Sequence, residues 1–153
     1  AEQQTEYVAP AQTAQVETTS AQAPAPAADQ TPAPATNNAT RDAIVSAAKA
    51  AQGTGYVWGG RSYGAWDCSG FVSYIFAQQG IKLTPYTYTM STELRATANP
   101  QPGDIVFTNG YNHVGIYVGN GQMVSALNPS QGTQLTPVDG NGYMPVDGYY
   151  TAF

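Results

Sequence analysis

The chain has a single cysteine, Cys68, in Asp67-Cys68-Ser69-Gly70-Phe71, and a single histidine, His113, 45 positions later in Asn112-His113-Val114-Gly115-Ile116-Tyr117-Val118. A thiol and an imidazole form the smallest set that can carry out nucleophilic acyl transfer. The thiolate attacks a carbonyl, and the imidazole takes and returns the proton. A helix N-terminus or a neighbouring imidazole lowers a thiol's pKa and supplies thiolate. Taken separately, a lone cysteine is usually a small buried hydrophobe and a lone histidine an ordinary packed side chain. The glycine-marked segments around both favour the reactive reading. One cysteine and one histidine lack the clustered ligands that zinc requires, and no Cys-x-x-Cys pair supports redox chemistry. The proposed chemistry uses no metal and no cofactor.

The elements that must position this pair can be read from periodicity. Thr40 is suited to cap a first helix, with Asp42 near its positive end and Gly53 beyond its last turn. A glycine-dense loop around Tyr56-Val57-Trp58 follows. A second helix is expected from about Ser69 to Gln79, because Phe71, Val72, Ile75 and Phe76 form one apolar face before Gly80. That register puts the thiol at the helix N-terminus, where unpaired N–H groups and the dipole favour thiolate. The small residues Ser69 and Gly70 would let a substrate backbone approach closely. After a polar connector the pattern becomes strand-like. Pro102-Gly103 turns into Asp104–Thr108, His113–Val118 follows, Gly119-Asn120-Gly121 marks a hairpin, and Gln122–Leu127, Thr133–Val138 and Val146–Phe153 complete the set. Helices first and an antiparallel sheet after them make an α+β layout.

Residues 1–39 are a different polymer, rich in Ala, Gln, Thr and Pro. Their composition reads as a flexible or polyproline-like linker, with residues 40–153 as the folded domain. A second reading of this tail is an inhibitory arm lying near the active groove. The chain begins Ala-Glu-Gln-Gln without Met, as a secreted protein does after its signal peptide is removed. Five Lys and Arg residues, scattered singly in a chain of net charge −5, make no basic stripe and argue against nucleic-acid binding. No run of about 18 apolar residues would span a membrane. The sequence gives no indication of oligomeric state.

Four motifs in order carry a resemblance. They are Tyr56-Val57-Trp58-Gly59-Gly60, Asp67-Cys68-Ser69-Gly70-Phe71, Pro102-Gly103-Asp104-Ile105-Val106-Phe107, and His113-Val114-Gly115-Ile116-Tyr117-Val118-Gly119-Asn120-Gly121. Together they resemble the NlpC family of bacterial cell-wall cysteine peptidases over residues from about 40 to 150. The resemblance implies a papain-like fold with the cysteine at a helix N-terminus packed on an antiparallel sheet. It also implies hydrolysis of peptidoglycan stem peptides, usually between D-isoglutamate and the following diamino acid. Cys68 is then the nucleophile and His113 the general base. Tyr56 matches the active-site tyrosine near the oxyanion, and the Cys68 N–H is a further oxyanion donor. Asp67 and Ser69 match positions that line the pocket for the substrate's amino terminus; Gly70, Trp58 and Asn128 complete the substrate-lining set.

One position departs from the family pattern. The residue twelve places after the base is usually His, Asn or Gln, and orients the imidazole. Here it is Ser125. Asn128 is an alternative orienter, and Asn112 a less suitable one. Two rival functions remain beside the endopeptidase. One is a CHAP-like amidase or endopeptidase acting on another peptidoglycan bond, and the other a wall-binding module with weakened catalysis.

Overall fold

A computed structural model describes residues 35–153. The first helix, α1, runs Ala35–Ala50. It begins five residues before Thr40, which therefore lies inside the helix and not at its cap. The intervening Thr-Asn-Asn-Ala contains no proline or glycine to stop helical propagation toward Ala35. The remainder of the linker segment, residues 1–34, lies outside the described residues. Gly53 adopts a left-handed backbone (φ +87°) just past the helix, as its expected terminating role requires.

The glycine-dense loop contains a small hairpin, β1 (Arg61–Ser62) with β2 (Ala65–Trp66), followed by α2 (Cys68–Ala77). The polar connector, read as irregular from the sequence, holds a short helix α3 (Thr87–Glu93) and a strand β3 (Arg95–Thr97). Their sequences, Thr-Tyr-Thr-Met-Ser-Thr-Glu and Arg-Ala-Thr, lack a sustained apolar period, and only Met90 of α3 is buried. Then come β4 (Ile105–Thr108), β5 (His113–Gly119), β6 (Gln122–Asn128), β7 (Gly132–Pro137) and β8 (Val146–Thr151). The six-stranded sheet is antiparallel in the order β3-β8-β4-β5-β6-β7, so the last strand is inserted between β3 and β4.

The core explains why α2 sits where it does. Phe71, Val72, Ile75 and Phe76 are buried on one face of α2 and join Ile44 and Ala48 of α1 with Val114, Ile116, Val124 and Ala126 of the central strands. Trp66 closes this core from the side. It is fully buried, stacks edge-on against Phe71 and Tyr74, and donates its indole N–H to Thr133 Oγ1 at 2.9 Å. A buried ion pair holds α1 to the sheet: Arg41 reaches Asp104 at 2.8 Å and stacks over the Phe153 ring. Asp104, expected only as a turn residue after Pro-Gly, is thus also an anchor for α1.

Candidate active site

Cys68 is the first residue of α2, capped by Asp67, whose side chain accepts the Gly70 N–H at 2.7 Å. The free N–H groups of the first turn are divided between two tasks. That of Asp67 goes to the Gly60 carbonyl and that of Gly70 to the Asp67 carboxylate. Those of Cys68 and Ser69 lie close enough to the thiol to favour its ionised form. The Val114 N–H, on β5, acts on the thiol in the same direction.

Strand geometry shows why the Val114 N–H is available. Tyr117 exchanges hydrogen bonds with the β4 side, accepting from Gly103 and donating to Asp104, each at 2.8 Å. N–H directions alternate along a strand, so those of Val114 and Ile116 face β6. The β5–β6 register runs Gly119↔Gln122, Tyr117↔Met123 and Ile116↔Val124, and goes no further. Beyond Ile116 no further pairs form, and the Val114 N–H, on the β6 side, lies close enough to the Cys68 sulfur to favour its ionised form. The His113 Nε2 lies 3.0 Å from Ser125 Oγ on β6. Gly115 lets β5 and β6 approach closely here; a Cβ there would come within 2.6 Å of the Met123 sulfur and 3.0 Å of Ser125 Cβ.

The electrostatics differ from the expectation of a ready-made thiolate. Burial pushes the Cys68 thiol up to about 11, and the neighbouring Asp67 carboxylate adds to the rise. The three N–H donors and the helix end work against this but do not outweigh it. Burial likewise lowers His113 to about 4. Both shifts favour neutral thiol and neutral imidazole over the ion pair.

Tyr56 is half-buried beside this pair. Burial first, then the Cys68 sulfur once ionised and the Asp67 carboxylate, raise its phenol above the usual tyrosine value. Asp67 also accepts the Gly59 N–H at 3.1 Å, tying the glycine-dense loop to the helix start. Ser69 is buried and donates to the Pro85 carbonyl at 2.8 Å, with Asp67 Oδ1 at 3.2 Å. Gly70 faces protein rather than open space: a Cβ there would lie 2.1 Å from the Gly60 carbonyl oxygen. Trp58 is 85% exposed, two residues from Tyr56, while Trp66 belongs to the core.

The two asparagines weighed as orienters are engaged elsewhere. Asn128 is the last residue of β6, bonding Gln131 and Ser130 of the following turn and lining a separate surface pocket with Leu127 and Tyr143. Asn112 bonds the Asn109 carbonyl and the Tyr88 hydroxyl. Two elements of the site were not anticipated. The Val114 N–H needs the end of the β5–β6 ladder to be known. Thr108 is paired with His113 across β4 and β5, a pairing that a hairpin turn read at Asn109-Gly110 would have indicated. Among the described residues, no group of three or more His, Cys, Asp or Glu converges as a metal site requires.

The NlpC/P60 family model matches residues 53–147. The probable endopeptidase p60 of Listeria grayi is 40% identical over 113 residues, covering 70% of this chain and 22% of that protein. A probable endopeptidase of Mycobacterium tuberculosis is 36% identical over 105 residues, covering 67% of this chain and 27% of that protein. The chain thus spans only about a quarter of the length of these relatives. Among solved structures, the NlpC/p60 domain of the peptidoglycan hydrolase SagA has a TM-score of 0.62 at 27% identity, covering 74% of this chain and 98% of that one. The P60 domain of an antigen from M. avium subspecies paratuberculosis has a TM-score of 0.65 at 23% identity over 76% of this chain and 96% of its own, and bears on the fold alone. The α+β, papain-like architecture is shared with these domains, and the chain belongs to the NlpC/P60 family.

Proposed function

We propose that this chain is a cysteine endopeptidase that hydrolyses peptidoglycan stem peptides at the bond between D-isoglutamate and the diamino acid, acting outside the cell or in the wall. The observation that carries the reading is the place of the thiol at the start of α2, near the Val114 backbone of β5, the residue next to a buried His113 whose ring is held on Ser125. The names of the relatives, endopeptidases and a peptidoglycan hydrolase, supply the substrate class.

In the proposed cycle the His113 ring donates from Nε2 to Ser125, which leaves the Nδ1 lone pair for the thiol proton. The S–H bond breaks as that proton moves to Nδ1, and the sulfur electron pair forms the bond to the scissile carbonyl carbon. The Cys68 N–H and the Tyr56 hydroxyl receive the developing oxyanion. His113 then protonates the leaving amine as the C–N bond breaks. It next takes a proton from water, which attacks the thioester and releases the acid. Asp67, Ser69 and Gly70 contribute by fixing the helix start, and Trp58 offers an exposed groove wall.

The test is digestion of purified peptidoglycan and defined muropeptides by wild type and Cys68→Ala, read by mass spectrometry. Fragments ending at D-isoglutamate, made by wild type alone, are expected. A different Cys68-dependent bond would replace this reading with the amidase-like one. Binding without cleavage would replace it with a wall-binding module.

A further inference from the structure

One buried polar group beside the site has no evident purpose in the fold. Thr108 is fully buried, and among the described residues its Oγ1 has no hydrogen-bond partner. A buried hydroxyl without a partner is costly, and valine would fill the same space without that cost. Thr108 and His113 are directly opposed across β4 and β5, so their side chains leave the same face of the sheet as close neighbours. Ser125 meets the ring from the β6 side, and Thr108 stands on the β4 side. The ring thus lies between two hydroxyl-bearing strands, of which only one is engaged while it is neutral.

We propose that Thr108 is a positioning residue for His113, its buried hydroxyl oxygen held in place to stabilise the imidazolium that forms when the ring takes the Cys68 proton. The inference rests on the catalytic pairing of Cys68 and His113 proposed above. Ser125 is neutral and cannot balance a positive ring as a carboxylate would. A second oxygen dipole, fixed beforehand in a water-poor setting, gains most when the ring is charged and little when it is neutral. Threonine's branched Cβ restricts rotation and keeps the dipole aimed. A hydroxyl unsatisfied in the resting enzyme is then a ground-state cost recovered during reaction.

The test compares wild type, Thr108→Val and Thr108→Ser by thermal unfolding, by muropeptide kinetics, and by the rate of Cys68 alkylation with iodoacetamide at pH 7.5. In the alkylation the sulfur–carbon bond forms, iodide leaves and His113 takes the thiol proton, so no knowledge of the natural substrate is needed. Valine is expected to keep or raise the melting temperature, slow alkylation about five- to tenfold, and lower kcat with KM little changed. Serine, which keeps the hydroxyl but loses a methyl group, is expected to melt lower yet alkylate within about twofold of wild type. Valine alkylating at the wild-type rate, or melting well below wild type, would overturn the proposal. If the alkylation pattern holds but wild type cleaves no muropeptide, the endopeptidase reading fails while the role of Thr108 stands.

Discussion

His113 Nε2 and Ser125 Oγ stand 3.0 Å apart, joining β5 to β6 just where the two strands have ceased to pair. The hydrogen bond occupies a gap in the ladder, and its consequence is chemical. A ring that donates from Nε2 keeps Nδ1 free to accept.

Ser125→Ala should test that link. The substitution leaves a buried ring N–H without a partner, at a cost of about 1–3 kcal/mol. We expect kcat to fall about tenfold or more with KM little changed, and Ser125→Thr to recover much of the loss. Steady-state kinetics on a defined muropeptide decide it; an unchanged kcat would remove Ser125 from the mechanism.

The neutral resting pair has its own signature. With the thiol at about 11 and the imidazole at about 4, iodoacetamide labelling of Cys68 should keep rising to pH 10–11 instead of levelling near 8.5–9. The acid limb of hydrolysis should lie near pH 4, not 6.5. A labelling plateau near neutrality would show a preformed ion pair instead.

His113 should also make stability depend on pH. Its value falls from 6.5 when unfolded to about 4 when folded, so between these pH values the unfolded chain binds a proton that the folded chain does not. Its contribution is present above pH 6.5 and is lost as pH falls toward 4, up to about 3 kcal/mol in all. Urea unfolding at pH 7 and pH 4.5 should show a smaller loss for His113→Gln than for wild type.

Gly70→Ala is expected to damage the fold before the chemistry. Its Cβ would meet the Gly60 carbonyl at 2.1 Å, and both partners are main chain. Overpacking of this kind costs about 1–3 kcal/mol, and calorimetry should show a drop of several degrees. Unchanged melting with lost cleavage would instead make Gly70 a substrate-facing residue.

Much of this arrangement was legible in the residues. The Gly119-Asn120-Gly121 turn fixes the β5–β6 hairpin, and continuing its register past Ile116↔Val124 sets position 125 opposite 115, one same-face step from 113. The apolar face of α2 was equally plain. The α3 helix and β3 were not, because neither carries a sustained apolar period. The insertion of β8 between β3 and β4 is a tertiary choice that local pattern does not encode. The charge state of the pair stays open in the sequence for a related reason. Helix position argues for thiolate, but burial argues the other way and is known only once the chain is packed.

The two tryptophans occupy opposite environments, Trp66 fully buried and Trp58 85% exposed. Intrinsic fluorescence therefore has two separable channels. Emission from Trp66 shifts to the red when the core opens, whereas Trp58 is open to acrylamide quenching in the native state. A Trp58→Phe variant would report unfolding alone. The difference between it and wild type would follow any ligand that covers Trp58, two residues from Tyr56, in real time and with no added label.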